Sequence, residues 1–154
     1  MKAQDQESPS DFDLSSYHFE KLINEGSLSK VLQVIDKNTG KTYSALILKQ
    51  FQTQQFIQEL KKEVDLLVLT RFPSILSFVG YSPKDFEGKQ MPVIVTEYFP
   101  NGSLYQIIRQ ANRCISDVHN PVKSWNNTTK LITLYGIAAG MDFLYSHNLI
   151  HGDL

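Results

Sequence analysis

From about Asn127 to His147 the chain reads as one long helix. Along it Leu131, Ile132, Leu134, Tyr135, Ile137, Met141, Phe143, Leu144 and Tyr145 put apolar side chains on every side. A helix that is apolar all round has to be buried all round. Leaving five such side chains in water forgoes roughly 7–15 kcal/mol at about 1.5–3 kcal/mol each, as much as the whole net stability of an ordinary domain. Little else in the C-terminal third could cover this helix, so the chain is expected to be a piece of a larger helical body. Thr133, Gly136, Gly140 and Asp142 interrupt the stretch, which therefore does not read as a membrane span.

The rest of the composition narrows the class of protein. With 154 residues and 42% hydrophobic content, a core of useful size is available. A formal charge of −1 supplies no field that would recruit nucleic acid or an anionic lipid surface, and neither is expected as a partner. The solitary Cys114 excludes an internal disulfide and a cysteine-based zinc site. The start, MKAQDQESPSDFD, is polar and unlike a secretory leader. The expected location is therefore cytoplasmic, and the two glycosylation sequons, at Asn101 and Asn126, are read as chance.

Residues 1–16 read as a disordered N-terminal segment. Alternation then predicts strands at Tyr17–Leu22, Lys30–Ile35 and Thr42–Leu48, with the turn Asp36-Lys-Asn-Thr-Gly40 between the last two. Phe56, Leu60, Val64 and Leu67 recur at helical spacing within a predicted helix from Phe51 to Thr70, which Pro73 stops. Ile75–Val79 and Pro92–Tyr98 read as two more strands, joined by a loop over 83–90. Ser103 is a plausible N-cap for a short helix Leu104–Ala111, Cys114–Ser124 reads as loop, and Asn127 or Thr128 could cap the long helix. The order of elements gives an α+β small lobe followed by the first helices of a helical lobe.

Several short segments along this frame carry possible chemistry. The run from Leu22 to Val31 contains a turn at Glu25-Gly26, Glu63 interrupts the apolar stripe of the first helix, and Pro92–Tyr98 is a buried-looking strand ending in Glu97-Tyr98. The chain finishes on His151-Gly152-Asp153-Leu154. Each has a bland explanation: a simple β-turn, a glutamate at the edge of its stripe, a generic strand. His147 and His151 would need a helix through 148–150 to share a metal, and no metal site is expected.

Taken in order and at these intervals, the segments from Tyr17 to Leu154 resemble a eukaryotic protein kinase domain as far as its catalytic loop, with wording most similar to the tyrosine-kinase-like group. The resemblance implies a five-stranded antiparallel small lobe with its αC helix and hinge over 17–99. The start of the large lobe would then occupy 100–154. It also implies ATP as ligand, with Mg²⁺ where the remainder of the large lobe is supplied, and a protein substrate or signalling partner.

Carried over residue by residue, Gly26 is the one glycine kept in the phosphate-covering loop, Asn24 and Ser29 replacing the others, and Val31 covers the adenine. Thr96 is the gatekeeper, backbone groups of Glu97 and Phe99 meet the adenine edge, and Ser103 approaches the ribose. Glu63 is the αC glutamate and Asp153 the catalytic aspartate. Leu67, Phe78 and His151 match positions of the hydrophobic spine. The lysine of the third strand has two candidate positions. The ungapped match puts Leu46 there, and a shifted one puts Lys49 there. The two residues point to opposite faces of a strand and cannot exchange roles.

Two functions follow from the resemblance. One is a Ser/Thr-directed protein kinase transferring phosphoryl groups from ATP. The other is a pseudokinase, a binding or scaffold module with weak nucleotide binding or none, motivated by Asn24, Ser29 and Leu46. The chain as written ends before the asparagine and the Asp-Phe-Gly of a kinase, and by itself is expected not to catalyse.

Overall fold

A computed structural model describes residues 12–49, 53–113 and 125–151, apart from the side chains of Gln54, Glu59, Glu63, Leu69, Asn112 and Arg113. Within it the chain forms two compact units. The first holds the residues up to Arg71 and Leu76–Tyr98; the second holds Phe72–Ile75 and the residues from Phe99 onward.

The first unit is built on a sheet of β1 (Tyr17–Glu25), β2 (Ser29–Asp36), β3 (Thr42–Leu48), β4 (Phe78–Ser82) and β5 (Val93–Glu97), in the order β1-β2-β3-β5-β4 with every pairing antiparallel. The five-stranded antiparallel sheet expected from the sequence is present. Antiparallel register sets the faces, because directly paired residues point the same way and neighbours along a strand point oppositely. Val31, Leu46, Ile94 and Tyr81 therefore form one cross-strand row, and Gln33, Ser44, Thr96 and Phe78 form the next on the same face. Helix α1 (Gln54–Leu69) packs on this face, joining Leu60 and Val64 to Tyr81 and Ile94, with Leu46, Leu48, Leu67 and Phe78 around them.

The opposite face carries the larger core. Leu32, Val34, Ala45, Ile47, Val93 and Val95 are buried there together with Leu14. Phe12 and Leu14, in a lead expected to be disordered, belong to this core instead. Leu14–Ser16 make a 3-10 turn whose start is capped by the Asp13 carboxylate accepting from the Ser15 N–H at 2.8 Å. The Phe12 N–H donates to the Tyr81 carbonyl of β4 at 2.9 Å, and the Phe12 ring stands 5.4 Å from that of Tyr17. Two apolar side chains in a polar run are a faint signal, and burial on a sheet is what gives them meaning.

Strand β4 shows a second difference. The sequence suggests Ile75–Val79, but Ile75 is in a turn, its N–H bonded to the Phe72 carbonyl at 2.9 Å, and the strand runs Phe78–Ser82. It passes through Gly80. There is no turn at this glycine. A Cβ here would meet the Phe12 ring at 2.1 Å, so the absent side chain is what lets that ring lie on the strand.

In the β2–β3 connection, the Asp36 carboxylate accepts from the Asn38 N–H and the Thr39 hydroxyl, each at 2.8 Å, and Gly40 takes a positive φ of 70°. These bonds favour the ionised carboxylate and hold the Asp36 carboxyl below its ordinary range.

In the second unit, α2 (Leu104–Arg113) opens on a reciprocal cap. The Gln106 N–H donates to Ser103 Oγ at 3.2 Å and the Ser103 N–H to Gln106 Oε1 at 2.8 Å, so Ser103 is the cap its position suggests. Helix α3 (Asn127–Ser146) is capped one residue before the candidate caps, by Asn126, whose Oδ1 accepts from the Thr129 N–H at 3.0 Å. It ends in a Schellman motif. Asn148 takes a φ of 58°, its N–H bonds the Tyr145 carbonyl, and the Leu149 N–H bonds the Leu144 carbonyl.

Phe72 stacks on Phe143 at 4.7 Å, and Gly140 lies close enough to Ser74 that a Cβ would stand 3.4 Å away. The all-round apolar character of α3 is as unusual in the structure as in the sequence. Leu131, Ile132, Leu134, Tyr135 and Tyr145 are 64–82% exposed, uncovered by any described residue.

Candidate functional site

Three of the sequence-predicted positions of the first unit, Val31, Leu46 and Thr96, lie on the sheet face under α1. Val31 is the direct partner of Leu46, and Leu46 of Ile94, so these three share a row. Leu46 is half-buried and packs with Leu60, Val64 and Ile94. Whatever stands at this strand position faces α1, and here it is a hydrocarbon.

Glu63 lies on α1 between Leu60 and Leu67, immediately before the fully buried Val64. Its side chain is outside those described, as are all atoms of Asp153. Helix α1 is held in place at its start by Thr53, whose Oγ1 accepts from the Phe56 N–H at 3.3 Å, and along its length by Leu60 and Val64.

Lys49 takes a different course. It follows the end of β3, and its ammonium reaches Glu25 Oε1 at 2.5 Å and the Gly26 carbonyl at 2.9 Å, both at the β1–β2 turn. The same turn is closed by the Gly26 N–H donating to the Ser29 carbonyl at 2.9 Å. The Lys49 ammonium beside Glu25 holds that carboxyl below the usual carboxylate range, with a smaller contribution from Lys30. Leu46, inside β3, and Lys49, just past its end, therefore have different partners.

At the end of β5, Thr96 is the direct partner of Ser44 on one side and of Phe78 on the other. Its hydroxyl donates to the Glu97 carbonyl at 3.3 Å. Glu97 is clamped from both ends by one residue: its N–H donates to the Ser77 carbonyl at 3.0 Å, and its Oε1 accepts from the Ser77 N–H at 2.7 Å. That arrangement fixes the exit of β5. In the second unit, the Phe99 carbonyl accepts from the Gly102 N–H at 3.3 Å, and Gly102 has a positive φ of 73°. The Phe99 side chain is exposed and Ser103 caps α2. His151 is exposed beyond the end of α3, so it and His147 do not share one helix face. Among the described residues, no group of three or more His, Cys, Asp or Glu could hold a metal ion.

Sequence reasoning did not single out Ser44 and Gln33, which share the Thr96 row. Gln33 Oε1 is buried with no hydrogen-bond partner among the described residues. An unanswered acceptor of this kind costs about 1–3 kcal/mol. Only the register could have pointed to it, since a lone Gln in an alternating strand carries no signal of its own.

Comparison with known proteins decides the family. The model of the protein tyrosine and serine/threonine kinase family matches residues 17–154. The chain belongs to the protein kinase family. Its relatives include a probable serine/threonine-protein kinase of Dictyostelium discoideum, 32% identical over 91% of this chain and 10% of that protein. The serine/threonine-protein kinase TIO of Arabidopsis thaliana is 27% identical over 92% of the chain and 10% of its own length. An Aurora kinase of Saccharomyces cerevisiae is 22% identical over 92% of the chain and 35% of its length. The chain thus spans about a tenth to a third of these kinases. The kinase small lobe is the first unit described above, and the second opens the large lobe. No helix among the described residues is long and apolar enough to cross a membrane.

Proposed function

We propose that this kinase domain is a binding module that holds nucleotide weakly and transfers phosphoryl groups weakly or not at all. Leu46 carries the reading. Protein kinases in general use ATP and Mg²⁺, and on the third strand they need a cation that reaches both the phosphates and the αC glutamate. The ungapped match sets Leu46 at that position, and its side chain packs among Leu60, Val64 and Ile94. A hydrocarbon there offers polyphosphate nothing, and it leaves Glu63 without the cation a kinase would supply from that strand.

The adenine end of the site is less affected, because backbone groups of Glu97 and Phe99 would meet the base whatever their side chains. Val31 would cover it, Thr96 would stand behind it, and Ser103 would lie near the ribose while its Oγ caps α2. Gly26 keeps one of three loop glycines, and Asp153 would face the substrate hydroxyl. By likeness to serine/threonine kinases, the substrate of any residual activity would be a protein Ser or Thr. The tyrosine-kinase-like grouping, a cytoplasmic location and a signalling partner belong to the same proposal.

A second reading has its own supporting observation. Lys49 places its ammonium 2.9 Å from the carbonyl of Gly26, in the segment that resembles the phosphate loop, and could supply the cation of an active kinase. Thermal-shift titration of the whole protein with Mg-ATP, repeated for Leu46→Lys and Lys49→Met, separates the two. Stabilisation by a ligand follows RT ln(1 + [L]/Kd). The weak-binding reading expects a small shift in the unmodified protein and a larger one for Leu46→Lys. Tight binding that Leu46→Lys does not improve and Lys49→Met abolishes would establish the active-kinase reading instead.

A further inference from the structure

The turn between β1 and β2 contains little that holds its own shape. Its one glycine, Gly26, is not among the residues of positive φ, and a Cβ there would stand 3.8 Å from the Ser29 carbonyl, at ordinary contact distance. Glycine's special freedom is therefore not what shapes the turn. Leu28 at its tip is 60% exposed and contributes no anchor. Inside the turn, the Gly26 N–H bonds the Ser29 carbonyl at 2.9 Å.

One residue far along the chain supplies other bonds. The Lys49 N–H donates to the Leu28 carbonyl at 2.9 Å, and the Lys49 ammonium donates to the Gly26 carbonyl at 2.9 Å and to Glu25 Oε1 at 2.5 Å. Two turn carbonyls and the last side chain of β1 are thus gathered onto a single residue just past the end of β3, the Leu28 carbonyl on its backbone N–H and the Gly26 carbonyl and Glu25 on its ammonium. Its side chain is only 28% exposed, which limits its freedom to swing into water.

We propose that Lys49 is the positioning residue of the β1–β2 turn, clamping it to the end of β3 through Glu25 and Gly26. The proposal rests on the reading of this turn as the loop covering a nucleotide, and it adds a regulation of that site. The turn is held by the protein's own ion pair, and breaking the pair loosens it. An ammonium already neutralised by Glu25 is a clamp on the loop and a poor grip for phosphate. A charge-assisted contact of this exposure is also weakened by salt.

Amide hydrogen exchange over residues 25–29 tests it, in the unmodified chain and in Lys49→Met, Lys49→Arg and Glu25→Gln, with the β2–β3 turn at 36–41 as internal control. The clamp expects Lys49→Met to speed exchange at Gly26 about 1.5- to fivefold, the range open to a partly exposed charged pair. Glu25→Gln should give a smaller increase, Lys49→Arg should restore most of the protection, and 36–41 should not change. Unchanged exchange at the turn in Glu25→Gln and Lys49→Met overturns the clamp. Should Lys49→Met disturb 36–41 as well, Glu25→Gln decides alone, because it leaves β3 intact.

Mg-ATP titration of the same variants keeps the two proposals separate. Loosened turns without nucleotide binding in any variant would uphold the clamp and discard the nucleotide reading. Loss of binding in Lys49→Met with an unaltered turn would do the reverse.

Discussion

Gly80→Ala introduces one methyl group whose effect should depend wholly on a residue near the other end of the small lobe. The new Cβ would lie 2.1 Å from Phe12 Cδ2, well inside contact distance. The Phe12 ring must then move by more than an ångström. It has little room to do so, with its N–H bonded to the Tyr81 carbonyl and its ring against Tyr17. Burying a phenylalanine fully is worth about 1.5–3 kcal/mol, so a partly buried one stands to lose about 1–2 kcal/mol. The ring pair adds about 0.5–1.5 kcal/mol.

Because Gly80 does not have a positive φ, alanine there should otherwise stabilise by about 0.4–1 kcal/mol through the unfolded chain. Net destabilisation by Gly80→Ala is therefore about 1–3 kcal/mol. Phe12→Ala alone should cost about 1.5–3.5 kcal/mol, the sum of the same two losses. In the Phe12→Ala background the sign should reverse, with Gly80→Ala stabilising by about 0.4–1 kcal/mol. Urea unfolding followed by circular dichroism measures all four corners of the cycle. Equal destabilisation by Gly80→Ala in both backgrounds would refute the claim that this glycine exists for the aromatic ring.

Three further outcomes are expected. Val64 is fully buried between α1 and the sheet, and Val64→Ala should cost about 1.5–3 kcal/mol in urea unfolding, as two methyl groups and a small cavity are lost. Thr53→Ala removes the α1 cap and should cost about 0.5–1 kcal/mol, the lower part of the usual range because its bond to the Phe56 N–H is long at 3.3 Å.

The third concerns acid. The Glu25 carboxyl faces the Lys49 and Lys30 ammonium groups and is lowered from its ordinary 4.5. Its contribution to stability is complete above the unfolded value and disappears as pH falls through the lower folded one. Stability measured by circular dichroism should thus decline less steeply below pH 4.5 in Glu25→Gln than in the unmodified chain, and equal slopes would count against the pair.

Most of the small lobe could be read from residues close to one another in sequence. Alternation located β3 at Thr42–Leu48, the bounds observed, and the Asp36–Gly40 turn follows from an aspartate that bonds its own backbone and a glycine of positive φ. The stripe Phe56, Leu60, Val64 and Leu67 marked α1, and Ser103 marked the cap of α2. In each of these cases the determining interaction spans only a few residues.

Other features became visible only when distant segments met. Phe12 and Leu14 sit in a polar run, and nothing near them indicates that a sheet will bury both. Gly80 lies within β4, beyond the predicted strand, and the Phe12 ring rests against it. Nothing around Lys49 announces that its partners are Glu25 and Gly26, contributed by a different hairpin. The difference is physical. Periodicity and capping follow from backbone geometry within one or two turns of the chain, and this sequence states them directly. Close approach, burial and ion pairing depend on which surfaces the folded sheet brings together, and for this kinase domain only the tertiary structure settled them.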